Sequence, residues 1–246
     1  MKENTVIFGL RAITEALQNE VSIEKIYLQK GLSSNLVSDL MKLLKKEQIP
    51  ISYVPTEKLN YLSKQGNHQG AVAVCSFIKY APLEEIIAQL PQSTKIPLFL
   101  ILDQLTDVRN FGAIIRTAEC TGVTAIITQK QGSAPLNADA IKTSAGAAFK
   151  VPICRVDHIK DAIFQLQAAD ITLVAATEKT TDTIYDVDFN KPIAIVMGSE
   201  DRGVNPSVLK LVHHKVKLPL LGTIESLNVS VACGAFLYEA VRQRMQ

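Results

Sequence analysis

The pattern of apolar and polar positions changes character near residue 97. Before it, the apolar segments are short. Residues 25–29 (KIYLQ) read as a strand. Over 34–48, Leu36, Val37, Leu40, Leu43 and Leu44 recur at the spacing that places them on one helical face, with Ser34 or Asn35 able to cap the start. Residues 51–54 form a predicted short strand closed by Pro55, 56–63 a short helix capped by Thr56, and 70–78 an apolar strand. Residues 79–96 hold Pro82, Pro91, a short helical stretch and the polar run 92–95, the composition of a linker. From Pro97 the predicted strands become continuously apolar: 98–102, 125–128, 172–177 and 193–197. Helical segments at 110–121, 137–148 and 158–169 lie between them. A last helix, 228–245, aligns Val229, Ala232, Cys233, Phe236, Leu237, Ala240 and Val241. Strands apolar on both faces and alternating with helices imply an α/β fold with a parallel sheet covered on both sides.

Composition narrows this little. A chain of 246 residues has room for one or two domains, and 47% hydrophobic with 20% charged residues suits packed cores, not disorder. No apolar run reaches the ~18 to 20 residues of a membrane span, and residues 1–10 lack a secretory pattern, so a soluble, cytoplasmic protein is expected. Cys75, Cys120, Cys154 and Cys233 are too far apart for a metal clip and read as small buried hydrophobes. His213 and His214, as neighbours, point to opposite faces of a strand; no metal is expected. Residues 1–80 hold ten Lys/Arg and seven Asp/Glu, the remainder 16 and 17. That small positive excess suits a phosphate-facing module and equally an ordinary surface.

Three segments break the bland pattern, each just after a predicted strand, where open parallel sheets bind ligands. The first runs from Asp103 to Ala118; its helix starts near Asn110, the expected cap, with Arg116 inside it. The second, 196–206, carries Gly198 and Gly203 around Ser199, Glu200, Asp201 and Arg202, with Asn205 or Pro206 opening the next helix. Its spacing is neither a dinucleotide fingerprint nor a P-loop. The third, 216–232, puts Ser226 and Asn228 at the start of an apolar helix. Singly, each reads as a capped turn.

Together, in order and spacing, they resemble the three signature motifs of the SpoU (TrmH) branch of the SPOUT methyltransferases. The matching residues are Asn110, Gly112 and Arg116; Gly198, Ser199, Glu200 and Gly203; and Pro219, Ser226, Leu227, Asn228 and Ala232. The resemblance covers 97–246. It implies a SPOUT domain ending in a deep trefoil knot, a rarity among folds, and S-adenosylmethionine as cofactor near Thr177, Gly198, Leu218 and Leu227. It also implies a homodimer paired through the last helix and the first-motif helix. Asn67-His68-Gln69-Gly70, followed by the strand Ala71-Val72-Ala73, looks like the end of the small substrate-binding domain, related to ribosomal RNA-binding proteins, that precedes many SpoU catalytic domains. The implied division is an RNA-binding domain at 1–80, a linker at 81–96 and the methyltransferase domain at 97–246. Val108 stands where many members have Pro, Asp201 where Gly is frequent and Leu220 where Met is frequent; none removes a functional side chain.

The implied reaction is in-line transfer of a methyl group to a ribose 2′-hydroxyl, and the two-domain organisation resembles family members that methylate a guanosine in large-subunit rRNA. A tRNA-directed enzyme and a non-catalytic ribosome assembly factor are the competing readings. The family assigns the first-motif arginine, here Arg116, to activating the hydroxyl. A charged guanidinium offers no acceptor, so Arg116 is read as an orienting donor and Glu200 as the acceptor of the proton. Asn110, Ser226 and Asn228 would orient substrate and loops.

Overall fold

The computed structural model describes residues 6–18, 21–75, 79–224 and 226–245. The chain divides into two compact units: residues 1–79 with 135–138, and 80–134 with 139–246.

In the first unit the element order is β1 (Val6–Phe8), α1 (Leu10–Gln18), β2 (Ile23–Gln29), α2 (Asn35–Lys46), β3 (Ile51–Val54), α3 (Thr56–Leu62) and β4 (Ala71–Cys75). The sheet order is β1-β4-β2-β3, with β4 antiparallel to β1 and β2, and β3 parallel to β2. Ile26, Leu28, Ala71 and Ala73 face Ile13 of α1 and Leu40 and Leu44 of α2 in one apolar cluster. Ser34 caps α2 as expected, its hydroxyl accepting from the Val37 amide. The cap of α3, expected at Thr56, falls instead on Pro55, whose apolar ring accepts no bond. Of the predicted strand 70–78, residues 71–75 are β4, and 76–78 lie outside the described residues.

The second unit holds α4 (Leu83–Gln89), β5 (Leu98–Leu102), α5 (Val108–Cys120), β6 (Ala125–Gln129), α6 (Ala138–Thr143), β7 (Ile153–Val156), α7 (Ile159–Ala168), β8 (Thr172–Ala176), β9 (Ile193–Met197), α8 (Pro206–Leu209), β10 (His214–Val216) and α9 (Val229–Arg244). Its six strands are all parallel, in the order β10-β8-β9-β5-β6-β7. Every residue of β5 and β9 is buried, which is why both read as unbroken apolar runs. Phe99 and Ile101 join α4, α7 and α8 on one face. Leu98, Leu100 and Leu102 alternate to the other, where α9 packs on β9 and α5.

The stretch expected to be a linker is mostly part of this unit. Leu83 of α4 is buried in the second core, and the Ala81 amide donates to the Ile153 carbonyl. The single helix expected over 137–148 is broken where Ala145 and Gly146 take left-handed φ values of 50° and 85°. Of the four cysteines read as buried, Cys120 is exposed at the end of α5; burial raises the Cys154 and Cys233 thiols to about 12. Among the described residues no helix is long and apolar enough to cross a membrane.

Candidate active site

The site forms where β8, β9 and β10 end. β9 runs into Gly198, and the chain closes on itself through paired hydrogen bonds between Ser199 and Gly203: the Gly203 amide donates at 2.9 Å and the Ser199 amide at 3.3 Å. This turn crosses directly over Gly198. A Cβ there would lie 2.0 Å from the Gly203 carbonyl carbon and 2.2 Å from the Val204 amide nitrogen. Only glycine fits, because the obstruction is backbone. The turn is also tied to β5. Asp103 at its end accepts from the Asn205 amide at 2.7 Å, and burial pushes the Asp103 carboxyl up from its ordinary value, the Asn205 bond opposing it.

Glu200 sits on this turn and gathers the other two motifs. One of its oxygens, Oε1, accepts from Asn110 Nδ2 at 3.0 Å, Asn228 Nδ2 at 2.7 Å and the Val229 amide at 3.2 Å. Asn228 Nδ2 also donates to Asn110 Oδ1 at 3.0 Å. The carboxylate therefore lies at the start of the 16-residue helix α9, where unpaired amides and the helix dipole favour a negative charge. Asn228 itself caps α9, its Oδ1 accepting from the Ser230 and Val231 amides. Among the described residues Oε2 of Glu200 has no hydrogen-bond partner.

Asn110, expected as the cap of its helix, is not the cap. Asp107 takes that role, its carboxylate accepting from the Asn110 amide at 2.7 Å. The shift by three residues has a consequence: the Asn110 side chain is released from the backbone and reaches Glu200. Arg116 is not part of this cluster. It is exposed on α5, and among the described residues it makes no hydrogen bond or ion pair. It stands six residues beyond Asn110, about 9 Å along the axis and some 120° around it. Gly112 lets α5 approach α6: a Cβ there would lie 2.6 Å from Cβ of Thr143.

Beside Glu200 opens a pocket of about 360 Å³. Thr177, Gly198, Leu218 and Leu227, the four residues expected around the cofactor, all line it, together with Glu200 and Ser226. Sequence reasoning missed Glu178, Lys179, Asp201 and Phe236 in the lining. Glu178 and Lys179 follow directly on a strand end, the one signal that could have marked them. Hydrogen bonds fix the rim: the Thr177 amide donates to Val216, and Lys217 exchanges bonds with Asp182 and Ile184. Among the described residues no three His, Cys, Asp or Glu side chains are grouped to hold a metal ion.

A parallel sheet with a pocket at its carboxyl edge, bordered by a fixed acidic turn and a helix N-terminus, defines an α/β enzyme whose ligand lies across strand ends. Residues 97–238 match the SpoU rRNA Methylase family, and 6–81 match the RNA 2′-O ribose methyltransferase substrate binding family. A Bacillus subtilis protein named for the TrmH family of tRNA/rRNA methyltransferases is 31% identical over 243 residues, covering 99% of this chain and 97% of its own. The crystal structure of the SpoU methyltransferase AviRb from Streptomyces viridochromogenes with AdoMet superposes with a TM-score of 0.62 at 25% identity, covering 98% of this chain and 90% of that one. An A. aeolicus TrmH/SpoU tRNA modifying enzyme gives a TM-score of 0.57 at 29% identity, covering 66% of this chain and 84% of that one. The chain belongs to the SpoU (TrmH) family of RNA methyltransferases, and its cofactor is S-adenosylmethionine. The pocket suits that cofactor. Its volume lies within the usual range of ~300 to 1,000 Å³ for small-ligand sites, Met197, Leu218 and Phe236 supply apolar surface, and the lining carries both signs of charge, with Glu178, Glu200 and Asp201 beside Lys179, Arg202 and Lys217, as a ligand bearing a sulfonium, an ammonium and a carboxylate requires.

Proposed function

We propose that this enzyme methylates the ribose 2′-hydroxyl of a guanosine in large-subunit rRNA, in the cytoplasm, with the first unit holding the RNA and the second the cofactor. The observation that carries the reading is the convergence of Asn110, Glu200 and Asn228, from three distant segments, at the edge of the cofactor pocket. S-adenosylmethionine, when bound, supplies an activated methyl group, so the protein must place the hydroxyl in line and accept its proton. Glu200 suits the second task through Oε2. Its other oxygen is saturated by three donors, which fixes the carboxylate in direction. Asn110 and Asn228 position that carboxylate, Ser226 lies along the pocket to orient the ribose, and Arg116 orients RNA as a fork of donors.

The rRNA assignment is supported by the match of 6–81 to a substrate-binding family and by the A. aeolicus tRNA modifying enzyme, which spans only two thirds of this chain. The reading includes the family's trefoil knot, supported by the return of the chain from edge strand β10 to α9 against α5. It also includes a homodimer. Val231 and Tyr238, seven residues apart on α9, are 58% and 56% exposed, and Leu221 is 99% exposed, an apolar surface of the kind that self-association covers.

The test is to map ribose methylation in rRNA and tRNA from cells lacking the gene. Loss at one guanosine of large-subunit rRNA is the expected outcome. Loss in tRNA alone would transfer the activity to the competing substrate, and no loss in either would favour an assembly factor.

A further inference from the structure

Tyr61, near the end of α3, is 75% exposed, and Lys58 one turn earlier holds its ammonium 5.4 Å from the ring centroid. The chain then turns through Lys64 and Gln65, two successive non-glycine residues with left-handed φ values of 52° and 66°. Such conformations cost energy and persist only where surrounding bonds hold them. Here the Gln65 amide donates to the Asn60 carbonyl at 2.8 Å and the Gly66 amide to Ser63 at 3.1 Å. Buried His68 braces the same turn. Its Nδ1 accepts from the Gly70 amide at 3.0 Å, so Nε2 carries the proton and donates to Asn60 Oδ1 at 2.9 Å. The result is a fixed turn that exposes Lys64, Gln65, Asn67 and Gln69. Strand register puts Phe8, Val72 and Tyr27 on one face of the sheet. An added Cβ on Gly66 would meet the Phe8 ring at 2.6 Å, so the turn lies on that face. There a second lysine, Lys25, stands 5.1 Å over the ring of Tyr27.

We propose that Tyr61, flanked by Lys58 and Lys64, is a stacking platform for one unpaired base of the RNA substrate. This rests on the reading of the protein as an RNA methyltransferase and adds the place where the first unit grips RNA. An exposed ring with a lysine one turn before it and another three residues after it offers a π-face to a base and charge to the phosphates beside it. The turn's other exposed side chains are polar amides and not the apolar ring that surrounds an aromatic anchor in a protein interface. The base must be unpaired, because a duplex hides its faces.

The chain contains no tryptophan, so Tyr61→Trp makes position 61 its sole strong fluorophore. Titrating this full-length variant with oligoadenylate should quench the emission, whereas Tyr53→Trp, on the opposite face of the sheet, should not respond. Tyr61→Ala should weaken binding of protein-free large-subunit rRNA roughly tenfold and leave S-adenosylmethionine binding unchanged. Lys58→Gln and Lys64→Gln should each lower the slope of log affinity against log salt by about 0.7. If wild-type protein binds rRNA but Tyr61→Ala binds it equally well, the platform is wrong and the RNA reading stands. If wild-type protein binds neither rRNA nor oligoadenylate, the RNA reading falls and the platform with it.

Discussion

At the end of β9 the chain turns over Gly198, whereas between α3 and β4 it turns through Lys64, Gln65 and Gln69. The two turns are held in opposite ways. Over Gly198 the constraint is exclusion: the Gly203 and Val204 backbone occupies the space any side chain would need. In the turn of the first unit three left-handed residues, Lys64, Gln65 and Gln69, are not glycines, and the turn is braced by hydrogen bonds that its amides donate to Asn60, Ser63 and His68. A turn held by exclusion shows in sequence as a glycine. The polar bracing of the other turn leaves no such mark at Lys64, Gln65 and Gln69, although Gly66 and Gly70 stand beside them where Phe8 and Leu32 leave no room for a Cβ.

The largest expected effect separates these two devices. Gly198→Ala has no relaxed solution, because the obstructing atoms are main chain. It should cost ~3 kcal/mol or more, the scale of severe overpacking, and abolish cofactor binding. His68→Ala removes two hydrogen bonds and leaves the Gly70 amide and Asn60 short of partners, at about 1 to 3 kcal/mol. It should leave cofactor affinity unchanged while weakening RNA binding. Calorimetric titration with S-adenosylmethionine and thermal melting of both variants provide the check. Cofactor binding retained at full affinity by Gly198→Ala would show that the turn is not held by exclusion.

The same contrast governs how much could be read from residues. The strands of the parallel sheet were legible because burial on both faces makes them continuously apolar, as in β5 and β9. β7, with Arg155 in only four residues, and β10, whose His214 and Lys215 are exposed at the sheet edge, carry no such signal. β1 and α1 were also missed. The helix of the first motif is legible, but the sequence offers Asn110 as its cap where the structure uses Asp107. Both residue types cap well, and only the three-dimensional demand of Glu200 for a donor distinguishes them. That demand arises from residues 90 and 28 positions away, Asn110 and Asn228, so no local pattern could reveal it. Family resemblance supplies the candidate residues of the site; the structure supplies the bonding of Asn110, Glu200 and Asn228 and leaves Arg116 outside that bonding.

A second, smaller effect tests that bonding. Glu200→Gln can keep its amide oxygen toward Asn110, Asn228 and Val229, so fold and cofactor affinity should survive. The other position then becomes an NH₂ group, which cannot accept a proton, and the single-turnover methylation rate should fall ~100-fold or more. Arg116→Ala should give a similar loss, and Arg116→Lys little rescue, since a point charge lacks the planar fork. Rate against pH distinguishes the roles: Glu200→Gln should flatten the rise of rate with pH, and Arg116→Ala should lower the rate at every pH. The reverse pattern would make the arginine the proton acceptor.

The smallest expected effect compares two buried carboxylates of the second unit that have been shifted in opposite directions. Glu239 on α9 receives two bonds from Arg242 at 2.8 Å and one from Gln243, and these hold its carboxyl below the ordinary range, with burial opposing. Asp103 is raised, chiefly by burial, and the Asn205 bond only partly offsets this. The signs follow from which state binds protons more readily. Glu239, lowered on folding, contributes stability that is present above the ordinary glutamate value and is lost as pH falls through its lowered one. Asp103, raised on folding, holds its proton more tightly when folded, so its contribution declines as pH rises from the ordinary aspartate value through the raised one. Glu239→Gln should therefore reduce the loss of stability between pH 7 and pH 4, while starting less stable at pH 7. Asp103→Asn should enlarge that loss, because it removes a group whose protonation favours the folded state, and its amide oxygen can still accept from Asn205. The drop in urea midpoint from pH 7 to pH 4 should differ from that of wild type by about a few tenths of a molar, smaller for Glu239→Gln and larger for Asp103→Asn. If both variants change that drop in the same sense, the Asp103 site is solvated enough to behave as an ordinary carboxylate, and the anchoring of the Gly198 turn to β5 is weaker than its 2.7 Å bond implies.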